Sequence, residues 1–189
     1  MKTLIQSALE DSIRAKELFF KTHTHLVMDC ARAMADTLAS GGKILLFGNG
    51  GSAADCQHLA AEFVNRFQIE RPPLAAIALT CDTSIITSIG NDYSYEQIFL
   101  KQVQALGKPG DIALGISTSG NSPNVVVAAQ AAKEMGLCLV GFSGPGGQLK
   151  EISDIAFCVD SLVTARIQEV HILLGHILCD LTERILFHD

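Results

Sequence analysis

The chain has 189 residues, 48% of them hydrophobic, with no tryptophan and a net charge of −6 at neutral pH. That length fits one domain with a sizeable core, and the acidic balance without a Lys/Arg stripe argues against direct nucleic-acid binding. Any anion must be held by local donors rather than by the field of the whole protein.

Residues 1–40 read as two helices, with Leu4, Ile5, Ala8 and Ile13, then Leu26, Val27, Met34 and Leu38, at helical spacing. Glu10 and Asp11 come too early for a secretory signal. No uncharged apolar run reaches membrane-spanning length. After Gly41-Gly42, 43–47 is a short aliphatic run that predicts a buried strand, and 52–67 predicts a helix. Ser52 offers a helix cap, with Asp55 three residues on as in a capping box.

The alternation then repeats. Strands are expected at 74–79, 111–116, 137–142 and 155–159. Helices are expected at 84–90, 95–106, 123–135 and 164–187, with Ser122 capping the third and Pro123 at its first position. This rhythm implies an α/β fold: three layers, a five-stranded parallel sheet flanked by helices, and an N-terminal helical pair. The domain reading is one unit over 1–189, with 1–40 as a helical extension and 41–189 as the α/β core. The six cysteines form no CxxC pair and mostly sit in apolar runs, so they read as buried or half-buried thiols in a reducing compartment. A cytoplasmic location follows as the expectation.

Two loops share one design. Gly48-Asn49-Gly50-Gly51-Ser52 follows the first strand, and Ser117-Thr118-Ser119-Gly120-Asn121-Ser122 follows the third. Open α/β sheets bind ligands at these carboxyl ends. Glycines admit an anion close to the backbone, and a helix N-terminus supplies N–H donors. Ser117, Thr118, Ser119 and Ser122 add hydroxyls that suit a monophosphate. GxxxxGK[ST] is absent and GxGxxG spacing is not met, which excludes a P-loop and leaves dinucleotide binding weak.

His58 and Glu62 lie four apart on the helix after the first loop, hence on one face. Such a pair binds metal, performs acid–base work or is simply a solvated ion pair. On the last helix Gln168 and His176 lie two turns apart on one face, in a largely apolar setting. His171 falls off that line and reads as a packing residue. Arg66 sits one turn after Glu62, to meet either a phosphate or a surface carboxylate.

Four segments then carry a resemblance: GNGGSAADCQHLAAE from Gly48, GNDYSYE from Gly90, LGISTSGNSPNV from Leu114 and ARIQEVHILLGHILCDL from Ala165. Across nearly its whole length the chain resembles the phosphoheptose isomerases of the sugar isomerase (SIS) domain superfamily. The resemblance implies a SIS-type fold and conversion of sedoheptulose 7-phosphate to D-glycero-D-manno-heptose 7-phosphate, the entry to ADP-heptose and the lipopolysaccharide core. It implies that Asn49, Gly50, Gly51 and Ser52 line the substrate. Asn91 and Asp92 would meet sugar hydroxyls, and Ser117, Thr118, Ser119 and Ser122 would hold the phosphate. It places one zinc per subunit on His58, Glu62, Gln168 and His176, with Glu62 and Gln168 also touching substrate, in a homotetramer with sites at subunit interfaces.

For the chemistry, Glu62 is the expected base and His176 the expected acid. Two departures stand out: Ala165 replaces an acidic residue found in some members, and 143–147 lacks an expected charge. The alternative is a non-catalytic SIS tetramer that binds the DnaA replication initiator. Such a relative lacks the pair that Glu62 and His176 supply here.

Overall fold

A computed structural model describes residues 1–187. Helix α1 runs unbroken over Lys2–Ala39, where two helices are expected from the sequence. The polar stretch from Lys21 to His25 suggests a break, but no Gly or Pro interrupts it. Thr22 and Thr24 instead donate their hydroxyls to the carbonyls of Phe19 and Phe20, so the segment satisfies itself within the helix.

The remaining order is β1 (Ile44–Gly48), α2 (Gly51–Val64), β2 (Ala76–Ala78), α3 (Thr83–Asp92), a 3₁₀ turn (Tyr95–Gln97), α4 (Leu100–Leu106), β3 (Ile112–Ser117), α5 (Pro123–Glu134), β4 (Cys138–Ser143), α6 (Gln148–Ile152), β5 (Ile155–Cys158) and α7 (Thr164–Phe187). The five strands are parallel, in the order β2-β1-β3-β4-β5. Side chains alternate across the sheet. Ile44 and Leu46 face a core shared with α1, α2 and α7, whereas Leu45 and Phe47 face a second core under α3 to α6. The result is three layers, as expected. Among the described residues no helix is long and apolar enough to cross a membrane.

In this strand order the chain leaves β1 in one direction and returns beside it as β3. The gap between β1 and β3 is therefore the topological switch point, where a ligand crevice opens.

Five of the cysteines are buried or half-buried, but Cys81 is exposed. Burial pushes the thiols of Cys30, Cys56 and Cys179 far above the ordinary range, so they stay protonated.

His171 is buried against Phe142 and donates Nε2–H to the carbonyl of Ser143 at 3.1 Å. It is the packing residue its position suggested. Burial drives its pKa from 6.5 to about 4, and the Ser143 bond only partly opposes this. Its contribution is therefore complete above pH 6.5. It fades as the pH falls towards 4, because the unfolded chain takes up a proton that the folded chain refuses. We expect wild type to lose roughly 3 kcal/mol relative to His171→Phe between pH 7 and 4. Denaturant melts of both proteins across that range check it; parallel curves would contradict it.

Candidate active site

The two loops flank the β1/β3 crevice. Gly48 pairs with Ile116 in the sheet, and a Cβ at Gly48 would stand 2.9 Å from the Ile116 carbonyl. Gly50 has φ +55 and ψ −121, a conformation that L side chains rarely adopt. Helix α2 starts at Gly51 with Gly50 as its cap residue and no side-chain cap. The expected capping box is thus replaced. Ser52 is already inside the helix and buried, and Asp55 is free for another role. Burial raises the Asp55 pKa, opposed by His58.

In the second loop, Ser117 Oγ lies 2.9 Å from Ser122 Oγ and 3.3 Å from Ser119 Oγ. Ser122 precedes Pro123 at the start of α5, as expected, and its own hydroxyl makes no cap bond. Three hydroxyls thus gather at a helix N-terminus, which suits an anion. Thr118 and Ser119 line a cleft of about 420 Å³ with Asn121, Gly146 and Thr164. The segment noted for its missing charge has a packing reason for two of its glycines. A Cβ at Gly147 would stand 2.7 Å from Gly120, and one at Gly144 2.5 Å from the Thr118 carbonyl, so 143–147 packs backbone to backbone on the serine loop.

Asn91 and Asp92 end α3, exposed and bonded to each other at 2.9 Å. Among the described residues no hydrogen bond joins either to the two loops. The residue of that segment that reaches them is Tyr95, whose hydroxyl donates to Asn49 Oδ1 at 3.1 Å.

Helices α2 and α7 run parallel, side by side. Gln168 sits over Gly51, Gly175 against Leu59, His176 beside His58, and Glu183 against Phe67. This arrangement brings three of the four expected metal ligands together. His58 Nε2 stands 3.1 Å from Glu62 Oε1 and 3.4 Å from His176 Nε2. His58 is 47% exposed and Glu62 24%. Burial, then the neighbouring His58, lowers the pKa of His176 against the pull of Glu62, so its imidazole is neutral at neutral pH.

The expected fourth ligand is elsewhere. A Cβ on Gly51 would stand 2.5 Å from Gln168 Nε2, and Gln168 lines a shallow cleft with Gly51, Asp55 and Ala165. Eight residues of α7 separate it from His176, about 12 Å of helix rise. One face of a helix is not one site. Among the described residues no three His, Cys, Asp or Glu side chains close into a cage for a metal. Arg66 takes the bland alternative, pairing with exposed Glu70 at 3.3 Å.

Sequence reasoning missed a buried ion pair behind this site. Arg71 and Glu183 are 1% and 0% exposed and meet at 2.8 Å. Glu183 accepts the N–H groups of Phe67, Gln68 and Ile69, while Arg71 donates to the carbonyls of Glu62 and Phe63. The pair caps the end of α2 one turn beyond Glu62. Arg71 before Pro72-Pro73, and Glu183 on the apolar face of α7, are the only traces it leaves in the sequence.

A doubly wound parallel sheet with a hydroxyl-lined loop at its switch point defines a class of α/β domains whose crevice suits a phosphorylated ligand. The comparisons narrow it. The SIS domain family profile matches residues 9–144. A phosphoheptose isomerase of Nitratidesulfovibrio vulgaris is 60% identical over 189 residues, covering 100% of this chain and 90% of that protein. The solved phosphoheptose isomerase of Neisseria gonorrhoeae superposes with a TM-score of 0.90 at 44% identity, covering 96% of this chain and 98% of the other. That of Francisella tularensis gives 0.93 at 41% identity, covering 96% and 97%. The chain belongs to the SIS domain family, in its phosphoheptose isomerase branch.

Proposed function

We propose that the protein isomerises sedoheptulose 7-phosphate to D-glycero-D-manno-heptose 7-phosphate in the cytoplasm, at the start of ADP-heptose and lipopolysaccharide-core synthesis. The observation that carries this is the convergence of Glu62 and His176 on His58 from two helices. It supplies the acid–base pair that a purely binding SIS domain does not need. Nothing favours the initiator-binding alternative.

The reaction moves hydrogen without an external oxidant. A proton leaves C1 to a base, the C1 hydroxyl proton passes to the C2 oxygen, and a proton is delivered to C2. The intermediate is an enediol. Glu62 serves as the base at C1 and His176 as the proton donor to C2, and the proton taken up by Glu62 returns through solvent to restore His176 for the next turnover. The hydroxyls of Ser117, Ser119 and Ser122, with Thr118, hold the phosphate. Gly50, Gly51, Ser52 and Gln168 lie along the sugar, and Asn91 and Asp92 take sugar hydroxyls in the assembled enzyme.

The donor types of His58, Glu62 and His176 suit zinc, although within one chain the three do not close into a cage, and two of their separations support the reading. Ligands about 2.0–2.1 Å from a tetrahedral zinc stand about 3.3 Å apart, close to the 3.1 and 3.4 Å separations around His58 Nε2. When bound, zinc supplies Lewis-acid polarisation of the substrate carbonyl. Because Gln168 lies against Gly51, about two turns of α7 away from the His58–His176 contact, we assign the fourth ligand to a neighbouring subunit of a homotetramer. The unpartnered apolar stripe of α1 supports assembly, with Leu4 73% and Leu9 60% exposed.

Purified protein supplied with zinc should form heptose 7-phosphate from sedoheptulose 7-phosphate and should run at four chain masses by light scattering. Chelation should remove activity, and zinc should restore it. Absence of turnover with zinc present would end the enzymatic reading.

A further inference from the structure

The sheet joins β1 to β3 only as far as Gly48 and Ile116. Beyond that point, among the described residues, no backbone hydrogen bond links the first loop to the second. Yet both must hold a fixed shape, and the first passes through a glycine-only conformation at Gly50.

Among the described residues, one hydrogen-bonded side-chain pair spans the gap. Asn49, in the first loop, and Asn124, in the first turn of α5, exchange reciprocal amide hydrogen bonds, each 2.8 Å. Asn124 is 2% exposed. A buried amide without a partner is destabilising, so each residue holds the other. The Tyr95 hydroxyl then donates to the same Asn49 oxygen at 3.1 Å, tying in the segment after α3. Asn49 thereby uses its oxygen twice within the chain. Asn124 makes the link without lining the hydroxyl cleft.

We propose that Asn124 is a positioning residue: its amide pair with Asn49, braced by Tyr95, locks the glycine loop and the serine loop into one preformed cradle for the phosphorylated ligand. This rests on the reading of the loops as the phosphosugar site but not on the chemistry at Glu62. A cradle grips ground state and transition state alike, so loosening it raises KM and leaves kcat nearly unchanged.

The test uses the full-length protein, with inorganic phosphate as a calorimetric probe and sedoheptulose 7-phosphate kinetics as the second readout. Asn124→Leu should weaken phosphate binding and raise KM by roughly tenfold, the loss of one to two hydrogen bonds, with kcat within about threefold of wild type. Tyr95→Phe removes one exposed hydroxyl and should raise both by roughly threefold, which keeps the test open if Asn124→Leu does not fold. Unchanged phosphate affinity and KM in folded Tyr95→Phe and Asn124→Leu would overturn the proposal. So would a fall in kcat alone, in proportion to folded protein. If wild type binds phosphate but does not turn over the heptulose, the substrate reading fails and the phosphate titrations still decide the cradle.

Discussion

Replacing Glu62 with glutamine should lower kcat for the heptose isomerisation by about 10²–10⁴-fold, the usual contribution of a positioned general base. The amide keeps the shape of the side chain and its place 3.1 Å from His58, but it cannot accept the C1 proton. Affinity for inorganic phosphate should be unchanged, because the serine hydroxyls lie at the other end of α2. Coupled assays of product formation, with phosphate calorimetry alongside, separate the two roles. Full activity in the variant would remove Glu62 from the chemistry. A joint loss of turnover and phosphate binding would show a folding defect instead.

The second large effect falls on stability. Glu183→Ala should destabilise the fold by about 3–5 kcal/mol, because it leaves the Arg71 guanidinium buried and unpaired. It also orphans the three amides of Phe67, Gln68 and Ile69. For a chain of this size the melting temperature should drop by roughly 10 °C. Replacing both partners with apolar residues, Arg71→Met with Glu183→Leu, should be much milder than the sum of the single changes. Thermal melts of the single and double variants decide this, and a shift of only a degree or two for Glu183→Ala would refute it. The pair also has a pH signature. Burial alone would raise the Glu183 pKa, but the three amides and Arg71 outweigh it and hold the carboxyl below the ordinary range. Its stabilisation is complete at neutral pH and is lost progressively as the pH falls below the ordinary glutamate range towards that depressed value.

The parts legible in the sequence are those set by local pattern. Aliphatic runs became strands, though the one expected at 74–79 shortened to Ala76–Ala78; Ser122-Pro123 began α5, and the last helix spans the expected residues. Both loops lie at strand ends beside each other. What escaped depends on partners far apart in the chain. Asn49 and Asn124 are 75 residues apart and Arg71 and Glu183 112 apart, and neither pair has a spacing that announces it. Strand order is equally silent locally, yet it puts both loops at the switch point. Helix α6 is five residues long, too short to show a period. Gln168 illustrates the converse: its periodicity placed it correctly on the face of His176, but a face says nothing of distance along the axis.

The parallel run of α2 beside α7 restricts how this protein can change in length. Gly51 faces Gln168, His58 faces His176, and Phe67 is bonded to Glu183, so the rungs between the helices stay in step. Inserting or deleting one residue in either helix would turn everything beyond it by about 100° and slide it about 1.5 Å. The histidine contact and the buried ion pair would then be lost in one event. A length change is therefore expected to be tolerated only in the connections, and the two helices act as a ruler for each other.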